Sequence, residues 1–165
     1  MQLTESIEPS QIAGIGLTGQ MHGMVALDKE GIVLRPCIMW NDQRSHLECE
    51  EISSKVGSKK VLSITGNPVL SGFTAPKILW TQKNEPEIFA QIDKVLLPKD
   101  FIRYKLTGEF FSDVSDASGT SLLDVGKRTW SKEMLDALGW PISWMPEVTE
   151  STEPTSKISV EAAEL

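Results

Sequence analysis

The stretch Ile15-Gly16-Leu17-Thr18-Gly19-Gln20-Met21-His22-Gly23 is the most informative feature of this chain. It connects an apolar run, which begins at Ile12, to a group of polar side chains flanked by glycines. The run at residues 12–17 predicts a buried strand that ends at a glycine-rich turn. In α/β folds, polar side chains directly after such a strand are where ligand sites form. We therefore expect a ligand-binding turn at residues 20–22.

Gln20 and His22 are the candidates for binding a small polar ligand at this turn. Both offer directional hydrogen bonds suited to a polyol or a sugar. The flanking Gly19 and Gly23 allow backbone and side chains to approach a ligand closely. A lone histidine is more often structural, so that alternative stays open.

Composition and charge indicate a folded chain that does not bind nucleic acid. Of the 165 residues, 40% are hydrophobic and 24% are charged, which is typical of a globular domain. The formal net charge is -7, and no block of Lys or Arg interrupts that acidity. Such a chain has no basic field for holding a phosphate backbone.

The hydropathy pattern predicts a cytoplasmic protein. Residues 1–6 lack the basic and apolar regions of a signal peptide, and no window is long and apolar enough to span a bilayer. Because the sequence also lacks an Asn-x-Ser/Thr sequon, we expect Cys37 and Cys49 to remain reduced.

The order of the predicted elements indicates the α/β class. Strands are expected at residues 12–17, 24–27, 32–34, 38–40 and 95–97, and the second and third should form a hairpin across the turn at residues 28–31. Helices are expected at residues 45–56, 85–92, 101–106 and 131–138, and from Thr74 onwards. Thr74, Asp100 and Ser131 are the predicted N-caps, and Gly108 and Gly139 are the predicted helix ends.

The last part of the chain predicts a loop or linker followed by the start of another helix. Residues 140–157 are rich in Pro, Ser, Thr and Glu, so we expect a loop or linker. Residues 158–165 begin a helix that the end of the chain cuts within about two turns, which indicates an excised fragment.

A dinucleotide-binding loop is one alternative for the glycine-rich stretch. Gly14, Gly16 and Gly19 satisfy the spacing G-x-G-x-x-G. That motif requires a following helix whose N-terminus receives the pyrophosphate. Here Gly23 and a strand-like run come next, so the sequence disfavours a nucleotide site.

A metal site is a second alternative. His46 and Cys49 lie three apart on a predicted helix, and Cys37 could join them. The set lacks a fourth ligand and a Cys-x-x-Cys knuckle. We therefore favour two small buried thiols and a surface imidazole, and predict no metal ligand.

The cluster Trp40-Asn41-Asp42-Gln43-Arg44 has two interpretations. It could face a sugar, or it could form a helix entrance. In the second case Asn41 or Asp42 would cap the helix and Arg44 would pair with Glu48. We favour the helix entrance.

Several motifs in collinear order resemble the FGGY carbohydrate kinases, and among them the enzymes that phosphorylate xylulose. The motifs are residues 16–23, 34–36, 40–44, 72–80, 96–101, 106–109 and 112–120. Residues 73–80 resemble the first family signature, although Thr81 stands where that signature usually has an apolar residue. The resemblance runs from about residue 12 to residue 138, and several motifs in order are far more specific than any one of them.

The resemblance implies the fold, the reaction and the residues that bind the sugar. The fold would be part of an actin and RNase H-like N-terminal lobe, with a mixed sheet and flanking helices. The parent enzyme would use ATP and Mg²⁺ to phosphorylate D-xylulose at its 5-hydroxyl. Met21 and His22 would contact the ketose, Gln20 would support that turn, and Phe73 would supply an aromatic contact. The oligomeric state, including a homodimer, stays open.

The same resemblance predicts an incomplete enzyme. Residues 1–11 contain nothing like the Asp-x-Gly-Thr phosphate loop of the family. The general-base Asp and the ATP-binding lobe are expected beyond residue 165. We therefore predict no catalytic and no cofactor-binding residue in this chain, and no kinase activity of the chain alone.

Two alternatives to this function stay open. The chain could be a non-catalytic sugar-binding or interaction module that kept the lobe and lost the nucleotide site. The parent could also be a kinase of another ketose or polyol, such as ribulose or glycerol, since a few side chains discriminate between such sugars.

Overall fold

The fold combines helices with short strands, and a computed structural model describes it for residues 7–164. The helices are α1 (His46–Val56), α2 (Ser58–Thr65), α3 (Thr74–Asn84), α4 (Pro86–Phe89), α5 (Pro98–Thr107), α6 (Val114–Ala117), α7 (Lys132–Leu138) and α8 (Val160–Ala163). The strands are β1 (Val25–Leu27), β2 (Lys94–Leu96), β3 (Phe111–Asp113), β4 (Leu123–Asp124), β5 (Thr129–Trp130) and β6 (Glu147–Thr149). Short 3-10 turns lie at Pro9–Gln11, Ser118–Thr120 and Ile142–Trp144. The predicted α/β class is confirmed.

The sheets are smaller than the mixed sheet that the sequence predicts. Within residues 7–164 the strands pair in three two-stranded sheets. Strand β1 lies antiparallel to β2, with Ala26 opposite Val95, and β4 lies antiparallel to β5. Strand β3 is parallel to β6, with Ser112 opposite Val148. Both kinds of pairing are therefore present.

Strand β1 lies at the centre of the core because both of its faces are covered. Ala26 packs in one cluster with Ile52 of α1, Ile78 of α3 and Leu135 of α7. On the other face, Val25 and Leu27 pack against side chains of β2 and α5. Complete burial of a Val, Leu or Ile side chain stabilises a fold by about 1.5–3 kcal/mol. The residues just before β1 are thus held on a rigid base.

The predicted strand at residues 12–17 is wrong. Residues 12–20 form no helix or strand, and Ile12 and Ile15 are 48% and 62% exposed. Among the described residues, this segment has no backbone hydrogen bond to a strand. An apolar run becomes a strand only when a neighbouring chain satisfies its N–H and C=O groups, and none does so here.

The predicted hairpin turn forms, but the predicted strand at residues 32–34 is reduced to a single bridge. Leu27 and Val33 make a single antiparallel bridge, and the Asp28 carboxylate accepts from the N–H groups of Glu30 and Ile32 at 3.0 and 2.8 Å. Gly31 has a φ of 76° and lies so close to the Tyr104 hydroxyl that a side chain would clash. The predicted strand at residues 38–40 is likewise reduced to a bridge between Ile38 and Met24.

The helices with strong local end signals agree best with the prediction. The Ser131 hydroxyl accepts from the Met134 N–H at 3.2 Å, and Gly139 ends α7 with a φ of 77°. Gly108 ends α5 with a φ of 78°. Helix α1 forms nearly as predicted, whereas α2 was missed and the predicted helix at residues 85–92 shortens to α4.

Two predicted N-caps are wrong. Helix α3 has Phe73 at its N-cap position, and the Thr74 hydroxyl donates to the carbonyl of His22 instead. Helix α5 begins at Pro98, so Asp100 lies inside its first turn. In both cases the side chain forms a hydrogen bond with a residue distant in sequence, and not with the N–H groups at the start of its own helix.

The cluster at residues 40–44 closes a turn before α1 and does not cap the helix. The Asp42 carboxylate accepts from the Arg44 N–H at 2.9 Å and pairs with its guanidinium at 2.8 Å. The N-cap of α1 is Ser45, and Glu48 pairs with Lys83. The predicted pair between Arg44 and Glu48 is therefore wrong.

Residues 140–157 are more ordered than the predicted loop or linker. They contain β6, and the Trp140 side chain is buried with its indole N–H donating to Gln82. The predicted start of a helix at residues 158–165 is present as α8, where the Ser159 hydroxyl accepts from the Ala162 N–H at 3.1 Å. Over residues 7–164, the structure contains no helix of the length and hydropathy needed to cross a membrane.

Candidate functional site

The structure brings together two residues that the sequence analysis placed in one site, His22 and Phe73. Their rings stack with centroids 4.7 Å apart and planes inclined by 15°. The neighbouring Thr74 donates its hydroxyl to the His22 carbonyl at 3.1 Å. The first turn of α3 is therefore attached to the turn that precedes β1.

The backbone at His22 is strained. The Gly23 N–H donates to the Met21 carbonyl at 2.8 Å, which closes a tight turn with His22 at its centre. His22 has a φ of 70°, a conformation that costs a non-glycine residue on the order of 1–3 kcal/mol. Strain of this kind persists where the surroundings hold it, and it clusters at ligand sites.

The turn rests on the start of α5. A Cβ atom on Gly23 would lie 2.6 Å from Pro98 Cγ and 2.9 Å from Gln20 Oε1. A Cβ atom on Gly19 would lie 3.2 Å from Lys99 Cβ. Glycine is required at position 23 because any side chain would push the turn away from α5.

The His22 imidazole is fixed by a residue that the sequence analysis did not single out. Its Nδ1 atom lies 2.8 Å from the carbonyl oxygen of Gly119. Gly119 belongs to one of the motifs quoted above, but no local pattern shows that its carbonyl faces a residue 97 positions away.

Met21 and Gln20 border the same turn. The Met21 methyl group would lie 3.3 Å from a Cβ atom on Gly119. The Gln20 side-chain oxygen is buried and has no hydrogen-bond partner among the described residues. Its predicted support of the turn therefore stays a prediction.

Lys77 holds the loop that carries Phe73. It lies in α3 with its side chain fully buried, and its ammonium group donates to the carbonyls of Ser71 at 3.0 Å, Phe73 at 2.7 Å, and Gly72. Burial lowers the pKa of Lys77 to about 8, against a weaker opposing effect of Asp42. Nothing in the apolar pattern of α3 identifies this contact in advance.

Lys99 lies beneath the turn in a cluster of carboxylates. Its ammonium group pairs with Asp100 and Asp116 at 3.1 Å each, and with Asp113. Burial alone would lower the pKa of Lys99, but these carboxylates outweigh it and leave the pKa raised.

The carboxylates of this cluster differ among themselves. Burial raises the pKa of Asp100, whose side chain is fully buried and accepts from the Ser112 hydroxyl at 2.7 Å. Burial acts in the same direction on Asp113, but hydrogen bonds from Lys99 and Ser151 outweigh it and lower the pKa. The cluster is thus a charged support for the turn.

The described residues do not fit a metal ion or a nucleotide. Within residues 7–164, no three His, Cys, Asp or Glu side chains are arranged to hold a metal. Burial raises the pKa of the Cys37 thiol and raises that of Cys49 to about 11, so both stay protonated and are poor ligands. The glycine-rich segment at residues 14–19 is not followed by a helix.

The chain belongs to the FGGY family of carbohydrate kinases. The N-terminal domain of that family matches residues 1–165. The resemblance that the sequence motifs carry is thereby confirmed.

Individual relatives agree with this assignment. The xylulose kinase of Escherichia coli strain K12 is 51% identical over 152 residues, which are 92% of this chain and 31% of that protein. The crystal structure of a "xyloylose kinase" from Brucella ovis has a TM-score of 0.88 and 51% identity, over 92% of this chain and 31% of that one. A gluconate kinase structure from Lactobacillus acidophilus has a TM-score of 0.90 and 27% identity, over 99% of this chain and 33% of that one. This chain therefore spans about a third of the length of these relatives.

Proposed function

We propose that this chain supplies part of the sugar-binding lobe of an enzyme that phosphorylates D-xylulose with ATP, giving D-xylulose 5-phosphate. The similarity to a xylulose kinase, at 51% identity over 92% of the chain, supports this substrate. The observation that carries the proposal is the stacked pair of His22 and Phe73 beside the strained turn.

The contacts within the chain suit the binding of a ketose. His22 offers a hydrogen-bonding edge to a hydroxyl group, while Phe73 and Met21 offer apolar surface to the carbon skeleton. Gln20 lies beside them and supplies an amide. A rigid turn holds these groups, so the sugar is oriented when it binds. Phosphoryl transfer depends mainly on such positioning and on electrostatic stabilisation.

The rest of the reaction is assigned to other parts of the parent enzyme. There, ATP would donate the phosphoryl group, Mg²⁺ would neutralise its charge, and an Asp would act as general base. The chain itself binds and orients the sugar. The enzyme works in the cytoplasm on a small-molecule sugar, without nucleic acid or membrane partners, and a homodimer stays a prediction.

Calorimetric titration with D-xylulose tests the sugar site directly. The variant His22→Ala should weaken binding by about tenfold, the effect of losing one hydrogen bond of ordinary strength. His46→Ala is the matched control, because His46 is exposed and its ring nitrogen contacts only the nearby Gln43 carbonyl. Absence of saturable binding by the folded wild-type chain would contradict the proposal that these residues form the site.

Competing sugars and a phosphorylation assay separate the other candidates. The fold similarity to a gluconate kinase favours including gluconate beside D-ribulose and glycerol as test ligands. If one of these ligands binds more tightly than D-xylulose, it would replace D-xylulose as the proposed substrate.

A phosphorylation assay tests the activity of the chain by itself. We expect no ATP-dependent phosphorylation by the purified chain, and a detectable sugar phosphate would show that it is catalytically complete.

A further inference from the structure

The segment that contacts the His22 ring is rigid. It follows α6 and comprises Ser118, Gly119 and Thr120, and its glycine is buried. The Thr120 hydroxyl donates to the Ala117 carbonyl at 2.6 Å and accepts from the Leu122 N–H at 3.0 Å. The carbonyl of Gly119 therefore points at His22 from a fixed position.

We propose that Gly119 is a positioning residue for His22: its carbonyl holds the ring so that Nε2 accepts a hydrogen bond from a ligand hydroxyl, and its missing side chain leaves the space that the ring occupies. The inference deepens the proposed function and rests on it for the nature of the ligand.

The hydrogen bond to Gly119 determines which ring nitrogen carries the proton. A carbonyl oxygen only accepts, so the Nδ1 atom at 2.8 Å must be the donor. In the neutral imidazole, Nε2 then has a lone pair and no proton. A hydroxyl group that meets Nε2 has to donate its own proton. The site would therefore bind a free sugar hydroxyl and reject an ether at the same position.

Other contacts keep the ring in this orientation. Phe73 covers one face of the imidazole, and Thr74 bonds to the carbonyl of His22 itself. Turning the ring over would place a carbon atom against the Gly119 carbonyl and lose the hydrogen bond. The single orientation is thus favoured by both stacking and hydrogen bonding.

The structure leaves no room for a side chain at position 119. A Cβ atom there would overlap the Cε1 and Nδ1 atoms of His22, and it would lie 3.3 Å from the Met21 methyl group. The φ angle of Gly119 does not fall in the left-handed region, so alanine is compatible with the backbone. Gly119→Ala therefore displaces the ring without straining the backbone at residue 119.

Imidazole-nitrogen NMR tests the inference without any sugar. The chain has only two histidines, and His46→Gln leaves the His22 signals alone for assignment. At a pH where the ring is neutral, the wild-type chain should show the form protonated at Nδ1. Gly119→Ala should lose that form, whereas Gly126→Ala should keep it, because a Cβ atom on Gly126 makes only an ordinary contact at 3.5 Å.

Sugar binding supplies the second measurement. Gly119→Ala should raise the dissociation constant for D-xylulose about tenfold, as expected for one misplaced hydrogen bond, with no change in Gly126→Ala. A wild-type ring protonated at Nε2 would overturn the inference, and so would an unchanged tautomer and affinity in Gly119→Ala. Loss of the Nδ1 form in Gly119→Ala supports it even if the wild-type chain binds no D-xylulose, which would count against the proposed function alone.

Discussion

Two buried lysines lie near the candidate site in opposite electrostatic surroundings. Lys77 is surrounded by the carbonyls of residues 71–73, and no carboxylate within residues 7–164 forms an ion pair with it. Lys99 pairs with the carboxylates of Asp100, Asp113 and Asp116. The pKa of Lys77 falls to about 8, whereas the pKa of Lys99 rises.

The partners of a buried lysine, and not its burial alone, decide whether its pKa falls or rises. Burial disfavours the charged form of both side chains. Full charges around Lys99 more than compensate, while the carbonyl dipoles around Lys77 do not. Lys99 is thus part of a tightly coupled support under the turn, and Lys77 is a destabilised charge that holds the Phe73 loop.

The largest expected effect is that of Lys99→Met. Removing the ammonium group deprives the buried Asp100 and Asp113 of their ion-pair partner, which should lower the free energy of unfolding by about 3–5 kcal/mol. Urea unfolding at neutral pH measures the loss. Lys60→Met is the control, since the exposed pair of Lys60 and Glu133 should contribute no more than about 1 kcal/mol. Equal losses in the two variants would show that the buried ion pairs of Lys99 stabilise the fold no more than an exposed pair does.

Lys77→Met should have an intermediate effect. The loop at residues 71–73 loses its donor, but a poorly solvated charge is also removed, so we expect a loss of about 1–3 kcal/mol. Because Phe73 is carried by that loop, its amide should exchange faster with solvent and the affinity for D-xylulose should fall. Urea unfolding and amide hydrogen exchange measure both effects. A loss larger than that of Lys99→Met would show that the carbonyl contacts outweigh the ion pairs.

The pH dependence of stability should separate the two lysines further. Between pH 8 and 10.5 the unfolded chain keeps a proton on Lys77 that the folded chain has released, so stability should rise with pH relative to Lys77→Met. Lys99 should add no pH dependence in this window, because its raised pKa keeps the stabilising charge up to pH 10.5, and that stabilisation is lost only above this pH. Unfolding curves of the wild-type chain and both variants across this range give the difference. A flat difference between wild type and Lys77→Met would show that the pKa of Lys77 is not lowered.

The smallest expected effect is that of Asp116→Asn. This side chain is the most exposed of the carboxylates around Lys99, at 17%, and the ammonium group keeps Asp100 and Asp113. The change in the free energy of unfolding should stay below about 1 kcal/mol, as for a partly exposed pair. Urea unfolding of Asp116→Asn and Lys99→Met under the same conditions compares the two losses. A loss comparable to that of Lys99→Met would show that the cluster acts as one unit.

Predictions of helix ends and turns succeeded where no residue distant in sequence competes for the same hydrogen-bonding groups. Ser131 and Gly139 delimit α7, and Gly108 ends α5, because a cap requires only a hydroxyl or a positive φ within one turn of the helix. The turn after Asp28 formed for the same reason. Thr74 and Asp100 failed as caps because distant partners, His22 and Ser112, take their side-chain hydrogen bonds.

The candidate site was predictable only in part. The motifs predicted a site at residues 20–22 and Phe73, and the structure stacks His22 on Phe73. The contributions of Gly119 and Lys77 could not be predicted, since one acts through a backbone carbonyl and the other lies in an apolar stretch of α3. No residue type or spacing marks either role.

The family, the α/β class, and the helices and turns whose ends carry their own caps could be read from the amino-acid sequence alone. The lack of strand pairing at residues 12–17, and the contacts of His22 with both Phe73 and Gly119, are seen only in the folded chain. The physical reason is the range of the interactions. Helix ends and turns depend on hydrogen bonds within a few residues, whereas strand pairing, ring stacking and buried charges depend on segments that only the folded chain brings into contact.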